Sequence, residues 1–181
     1  MAGWVVWTAA CALACSFGVV APAATEGFVC TAETQGAGEL RAWRTGYQQV
    51  CMDWENEASA ERFFEQMERA RRQRPNDATL LGFHAAAGLI LANHGWSPLA
   101  KWQAFSQYRD QLENAIQRVP QQPDLRLIRL GVQRNAPGFL GYQGQIAEDT
   151  RRCREALRQG HWADQPAFAQ FVQRTLDSPT P

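Results

Sequence analysis

Apolar side chains recur at spacings of three and four from Leu40 to Leu176, and no stretch alternates with period two. That pattern places one greasy stripe on each of several helices and leaves no half-buried strand. Leu40, Trp43, Tyr47, Val50 and Trp54 share the face of a first helix. A second opens with Ser59 as N-cap, carries Phe63, Phe64, Met67 and Ala70 inward, and stops at Pro75, which cannot continue the hydrogen-bond ladder. Asp77 caps a third, 78–94, apolar on nearly every side and therefore expected in the centre. A fourth, 99–119, turns Trp102, Phe105, Tyr108, Leu112, Ala115 and Ile116 inward, and a fifth runs from Pro123 to about Arg134. Helices over 145–159 and 164–176 complete a set of about seven in antiparallel hairpins, an all-α fold.

Ahead of these helices the chain has a different character. Its first 24 residues carry no charged side chain, and the segment ends in Val20-Ala-Pro-Ala-Ala24, the small-residue pattern of a signal-peptide cleavage site. The expected organisation is a signal peptide over 1–24, a flexible linker over 25–39, one helical domain over 40–177 and a disordered tail over 178–181. Export places the protein in the periplasm or outside the cell. Membrane attachment requires that the N-terminus stay uncleaved, as a span of about 20 residues, or be lipidated at Cys15. An oxidising compartment favours pairing among Cys30, Cys51 and Cys153. Cys51 and Cys153 both fall on apolar helical faces, which leaves open a Cys51–Cys153 disulfide or two buried thiols.

The 45-residue offset between Phe63, Met67, Glu68, Ala70, Pro75 and Tyr108, Leu112, Glu113, Ala115, Pro120 is the main internal repeat signal. A large residue, a small Ala where helices approach, and a closing Pro make the spacing of the second helix of a tetratricopeptide unit. The period exceeds the usual ~34 residues, so the repeat is degenerate.

Chemistry is sparse. Eighteen basic side chains against eighteen acidic ones leave no positive footprint for nucleic acid. No nucleophile elbow, Walker loop or dinucleotide fingerprint occurs, so no cofactor is expected. His84 and His94 stand ten residues apart, the wrong spacing for two metal ligands on one helical face, and no metal site is expected. His84 reads as a core histidine with a backbone partner, and His94 as a helix C-cap. Glu148-Asp149 reads as the acidic start of a helix. Arg126, Arg129 and Gln133 form a polar stripe ending at Asn135, either a solvated face or a fork for a carboxylate or phosphate. The loop Asn135-Ala-Pro-Gly-Phe139-Leu-Gly-Tyr142 is too apolar for a plain linker, and is expected to plug against the helices near Trp96 and Trp102.

The run His94-Gly-Trp96-Ser-Pro98 with Lys101, the segment Pro123-Asp-Leu-Arg126-Leu-Ile-Arg129-Leu, and Asn135-Ala-Pro137-Gly-Phe139-Leu-Gly-Tyr142 through Ile146 and Asp149 resemble an uncharacterised family of exported bacterial helical proteins with tetratricopeptide-like repeats. The resemblance spans roughly residues 60–153 and implies an exported, repeat-like fold without implying an activity. The functional expectation is a non-enzymatic binding or scaffold protein of the bacterial envelope. Its expected protein or peptide partner meets Trp96, Lys101, Trp102, Arg126, Arg129, Gln133, Asn135, Phe139 and Tyr142. The alternative is a small-molecule or anion-binding enzyme that uses Arg126 and Arg129 with His84 or His94.

Overall fold

The computed structural model describes residues 32–95 and 97–178, with side chains from Gly36 onward. Seven helices follow one another: α1 (Ala32–Met52), α2 (Glu57–Gln73), α3 (Ala78–Ala92), α4 (Pro98–Arg118), α5 (Pro123–Asn135), α6 (Ile146–Arg158) and α7 (Pro166–Asp177). A single 3-10 turn, Gly138–Leu140, interrupts the α5–α6 connection, and no strand occurs among the described residues. The signal peptide expected over 1–24, with Cys15, Cys30, Trp96 and the last three residues, lies outside the described part.

Local chemistry sets the helix ends. Asp77 accepts from the backbone N–H of Leu80 at 3.0 Å, satisfying one orphan donor of α3. The N-cap of α2 is Asn56, not Ser59: its Oδ1 accepts from the Ser59 N–H at 3.1 Å, and Glu57 behind it suits the helix dipole. The linker expected over 25–39 is shorter, because α1 begins at Ala32. Ala, Glu and Gln there outweigh Gly36 and Gly38, each costing about 1 kcal/mol in a helix, and an ion pair from Glu39 to Arg74 ties this first part to the end of α2.

The turns after α2 and α4 have the same backbone. Arg74 and Val119 adopt φ −133°, ψ 69° and φ −132°, ψ 69°, each immediately before a proline that excludes the helical region. The following caps, Asp77 and Gln122, also match, at φ −74°, ψ 111° and φ −78°, ψ 109°. Two turns that lie 45 residues apart thus share their backbone angles at these positions.

Packing places α3 at the centre, buried on all sides from Leu80 to Leu89 between α2 and α4. Two of its glycines permit that closeness. A Cβ on Gly82 would stand 2.2 Å from Leu125 of α5, and one on Gly88 2.4 Å from the Tyr108 ring of α4. The odd-numbered helices touch one another, α3 meeting α1 and α5 while α7 returns to α1; each even-numbered helix bridges the two beside it. Trp43 and Tyr47 of α1 pack on Phe83 of α3 at ring separations of 5.9 and 6.2 Å, and Tyr47 meets Phe171 of α7 at 6.1 Å. Trp54 falls past the end of α1 and is half exposed, not part of its inward face. No described helix is long and apolar enough to cross a membrane.

Candidate functional site

The polar stripe on α5 is internal. Arg129 is 4% exposed and grips the fully buried Asp149 of α6 with two bonds, Nε to Oδ2 at 2.6 Å and Nη2 to Oδ1 at 2.8 Å. Its Nη1 donates to Glu113 of α4 at 2.9 Å, and the Tyr142 hydroxyl donates to the other oxygen of that carboxylate. Arg126 adds a longer bond to Asp149, at 3.4 Å, and reaches the Pro120 carbonyl at 3.2 Å. Burial works against the charged guanidinium of Arg129, but the bonds and charges of Asp149 and Glu113 outweigh it and raise its pKa. Burial, then the Glu113 bond and charge, raise the Tyr142 phenol. Gln133 is also buried, with Oε1 lacking a partner among the described residues. Neither a solvated face nor an open anion clamp results: two carboxylates already neutralise these arginines, and the cluster rivets α4, α5 and α6 together.

A second buried cluster joins α1 to the far end of the chain. Arg44 makes a bidentate pair with Asp124, both bonds 2.8 Å, and Trp162 Nε1 donates to Asp124 Oδ1 at 2.8 Å. His161 Nε2 lies 3.3 Å from the same carboxylate. Burial alone would raise Asp124; bonds from His161, Arg44 and Trp162, with the Arg44 charge, prevail and lower it. His84 completes a third cluster. Its ring sits between Phe64 and Tyr108, with Nδ1 3.2 Å from Gln111 Oε1 and Nε2 against Glu68, so its partners are side chains of α4 and α2 instead of backbone. His94 makes no capping bond through Nε2, which is buried without a described partner. No hydrogen bond among the described residues links either histidine to Arg126 or Arg129. No group of three metal-ligating side chains occurs among them either.

An apolar hollow lies elsewhere. A cavity of about 420 Å³ opens where the C-terminal halves of α1, α3, α5 and α7 converge. From α1 come Tyr47, Val50 and Cys51, and from α3 Ala86, Leu89 and Ile90. Gly131 and Val132 of α5, Phe171 of α7 and Phe105 of α4 close the walls, while Trp54, Asn93 and Pro137 stand at the same opening. Asp77 as cap of α3 and the prolines at the start of α5 and α7 stand at the opposite, N-terminal ends of these helices. Its size is in the range of about 300–1,000 Å³ usual for small-molecule sites, and its lining is mostly hydrocarbon with few polar atoms, as such sites are. Tyr47 and Cys51 both face it, and burial raises both, the thiol to about 12.

Other expected site residues take separate places. Lys101 Nζ caps α3 by donating to the Asn93 carbonyl at 2.7 Å, and Asn135 Nδ2 donates to the Gly131 carbonyl at 2.7 Å while also lining the cavity. Tyr142 packs edge-on against Phe105 at 5.9 Å, so that end of the loop does plug. Phe139 does not: it is 86% exposed, because the 3-10 turn throws it outward. Trp102, expected inward, is 56% exposed near the start of α4, before that helix meets α3 and α5. Cys51 and Cys153 are free thiols, one against Tyr47 and the other 4.0 Å from the Pro123 carbonyl, so the bridge between them is not formed. The cavity itself left no signal beyond ordinary apolar faces in four separate helices. Compared with known proteins, the chain matches no family model, no curated protein and no solved structure.

Proposed function

We propose that this is an exported, non-catalytic binding protein of the bacterial envelope, built on tetratricopeptide-like hairpins, whose ligand enters the cavity at the C-terminal ends of α1, α3, α5 and α7. The observation that carries this reading is the cavity: about 420 Å³, walled by Val50, Leu89, Ile90, Val132 and Phe171, with only a few polar atoms to orient an occupant. Support for the absence of turnover comes from where the ionisable groups are. Arg44, Arg126, Arg129, Asp124 and Asp149 are spent in bonds between helices away from that lining, and of the ionisable groups on it Tyr47 and Cys51 are raised by burial, which leaves Arg134 as its charged one. An apolar molecule gains from leaving water there, and association needs no covalent step.

Calorimetric titration of the purified chain with decan-1-ol tests the reading. Binding with a negative heat-capacity change is expected, weakened about tenfold by Val132→Phe, which narrows the cavity. Absence of binding, or binding that Val132→Phe leaves intact in a variant that still melts cooperatively, contradicts it. A second reading, a protein partner seated outside the cavity, is favoured by the exposure of Leu99, Trp102 and Phe139 at 63%, 56% and 86%. Its test is partner capture by the wild type and by a Trp102→Ser/Phe139→Ser variant.

A further inference from the structure

Beside the apolar cavity lies a second hollow of about 780 Å³, more polar and open, between the α5–α6 connection, α6 and the end of α7. Arg134 and Ser178 line both, so the two spaces adjoin. The second hollow is basic. Arg134, Arg151, Arg154 and Arg158 line it with Asp177 as its acid, and Asp177 already accepts from Gln173 at 2.7 Å. Arg151 and Arg158 are paired, with Glu148 and Glu155.

Arg134 and Arg154 are different. Neither has a carboxylate within ion-pair distance among the described residues; Arg154 is exposed, and Arg134, partly buried, differs in this from Arg44, Arg126 and Arg129, which are all paired. Instead both turn toward the end of α7: Arg134 donates to the Thr175 carbonyl, and Arg154 Nη2 to the Leu176 carbonyl at 3.4 Å. Those bonds cap a helix, which suits a cation, but they bring two like charges together and leave Arg134 Nε buried without a described partner. Burial and the Arg154 charge both act to lower the pKa of Arg134, the signature of a cation lacking its counter-charge. Helix capping explains two of the donors; it explains neither the doubled charge nor the unused Nε.

We propose that Arg134 and Arg154 hold the anionic head of an amphiphile whose apolar body occupies the neighbouring cavity, a fatty-acid-like carboxylate or an alkyl phosphate. The inference rests on the binding reading above and specifies its ligand class. A carboxylate or phosphate on the pair relieves the repulsion between them and supplies the counter-charge that neither guanidinium has. The forked guanidinium suits either head, and Val132, two residues before Arg134 on α5, lines the wall where the chain would begin.

The test is calorimetric titration of the purified chain with three ligands of one chain length: decanoate, decyl phosphate and decan-1-ol. Decanoate or decyl phosphate is expected to bind at least about tenfold tighter than the alcohol, with an advantage that shrinks as salt is raised. The better of the two identifies the head. Arg134→Gln is expected to remove that advantage. Arg154→Gln, which does not touch the apolar cavity, is expected to shrink the advantage and leave decan-1-ol binding within about twofold of wild type, and it carries the test should Arg134→Gln melt without cooperativity. Equal affinity of the three ligands for the wild type, or equal loss for all three in both variants, overturns the anionic head while the binding reading stands. No binding of any of them overturns both.

Discussion

Asp149 shows how buried charges depend on their partners. It is 0% exposed and takes two bonds from Arg129 and a longer one from Arg126, so its removal leaves Arg129 with Glu113 alone and Arg126 with no carboxylate. Asp149→Ala is therefore expected to cost about 3–5 kcal/mol in urea unfolding, and Glu148→Ala, on the solvent side of the same helix turn, far less. Asp124 gives a pH dependence with a definite sign. Its folded pKa is below the unfolded value of about 3.9, so its contribution is present above that value and disappears as pH falls through the lower, folded one. Wild type should lose stability steeply below about pH 4; Asp124→Asn should be less stable at pH 7 and lose less of its stability on acidification. At this scale the sequence was least readable. Asp149 looks like any acid in a first helical turn, because its partner stands 20 residues away and only local spacings are visible. Arg126, Arg129 and Gln133 shared one face as expected, but nothing in that spacing says whether the face meets water or another helix.

Helices were the readable part, because their signals are local. Proline, Asp77 and the recurrence of apolar residues mark α2 to α7 within a few positions. The departures also have local causes: Asn56 captured the cap from Ser59, and helix-forming residues carried α1 back through two glycines. Contact between helices is a different matter. Gly88 is legible as a weak helix former, yet its role is to let α4 close on α3, and the Tyr108 ring it faces is itself braced by Phe64 and His84. Propensity alone predicts that Gly88→Ala stabilises α3 by about 1 kcal/mol. The 2.4 Å approach predicts the opposite, a net loss of about 1–3 kcal/mol seen as a lower melting temperature. A rise would mean that α4 does not pack so closely. The loop after α5 divides in the same way: Tyr142 found a partner in Glu113, whereas Phe139, three residues earlier, points outward.

The whole molecule has one property that no single helix carries. Four C-terminal helix halves, taken from positions scattered between Tyr47 and Thr175, enclose an apolar space; Arg134, with no carboxylate partner among the described residues, stands at its edge, and Arg154 lines the adjoining hollow. In the sequence each contribution is an ordinary core position. The free thiols belong to the same picture. Burial pushes Cys51 and Cys153 each up to about 12, so neither holds much thiolate at neutral pH, and slow labelling of both in the native state, fast in urea, is expected with a thiol reagent. An occupied cavity should slow Cys51 further and leave Cys153 unchanged. Backbone amide shifts recorded during titration of the labelled protein with decanoate test the central claim most directly. The account predicts perturbations gathered at Tyr47, Cys51, Ile90, Val132, Arg134 and Phe171. Shifts confined instead to the Arg129–Asp149 cluster or to the Trp102 and Phe139 surface, or no shifts at all, would contradict it.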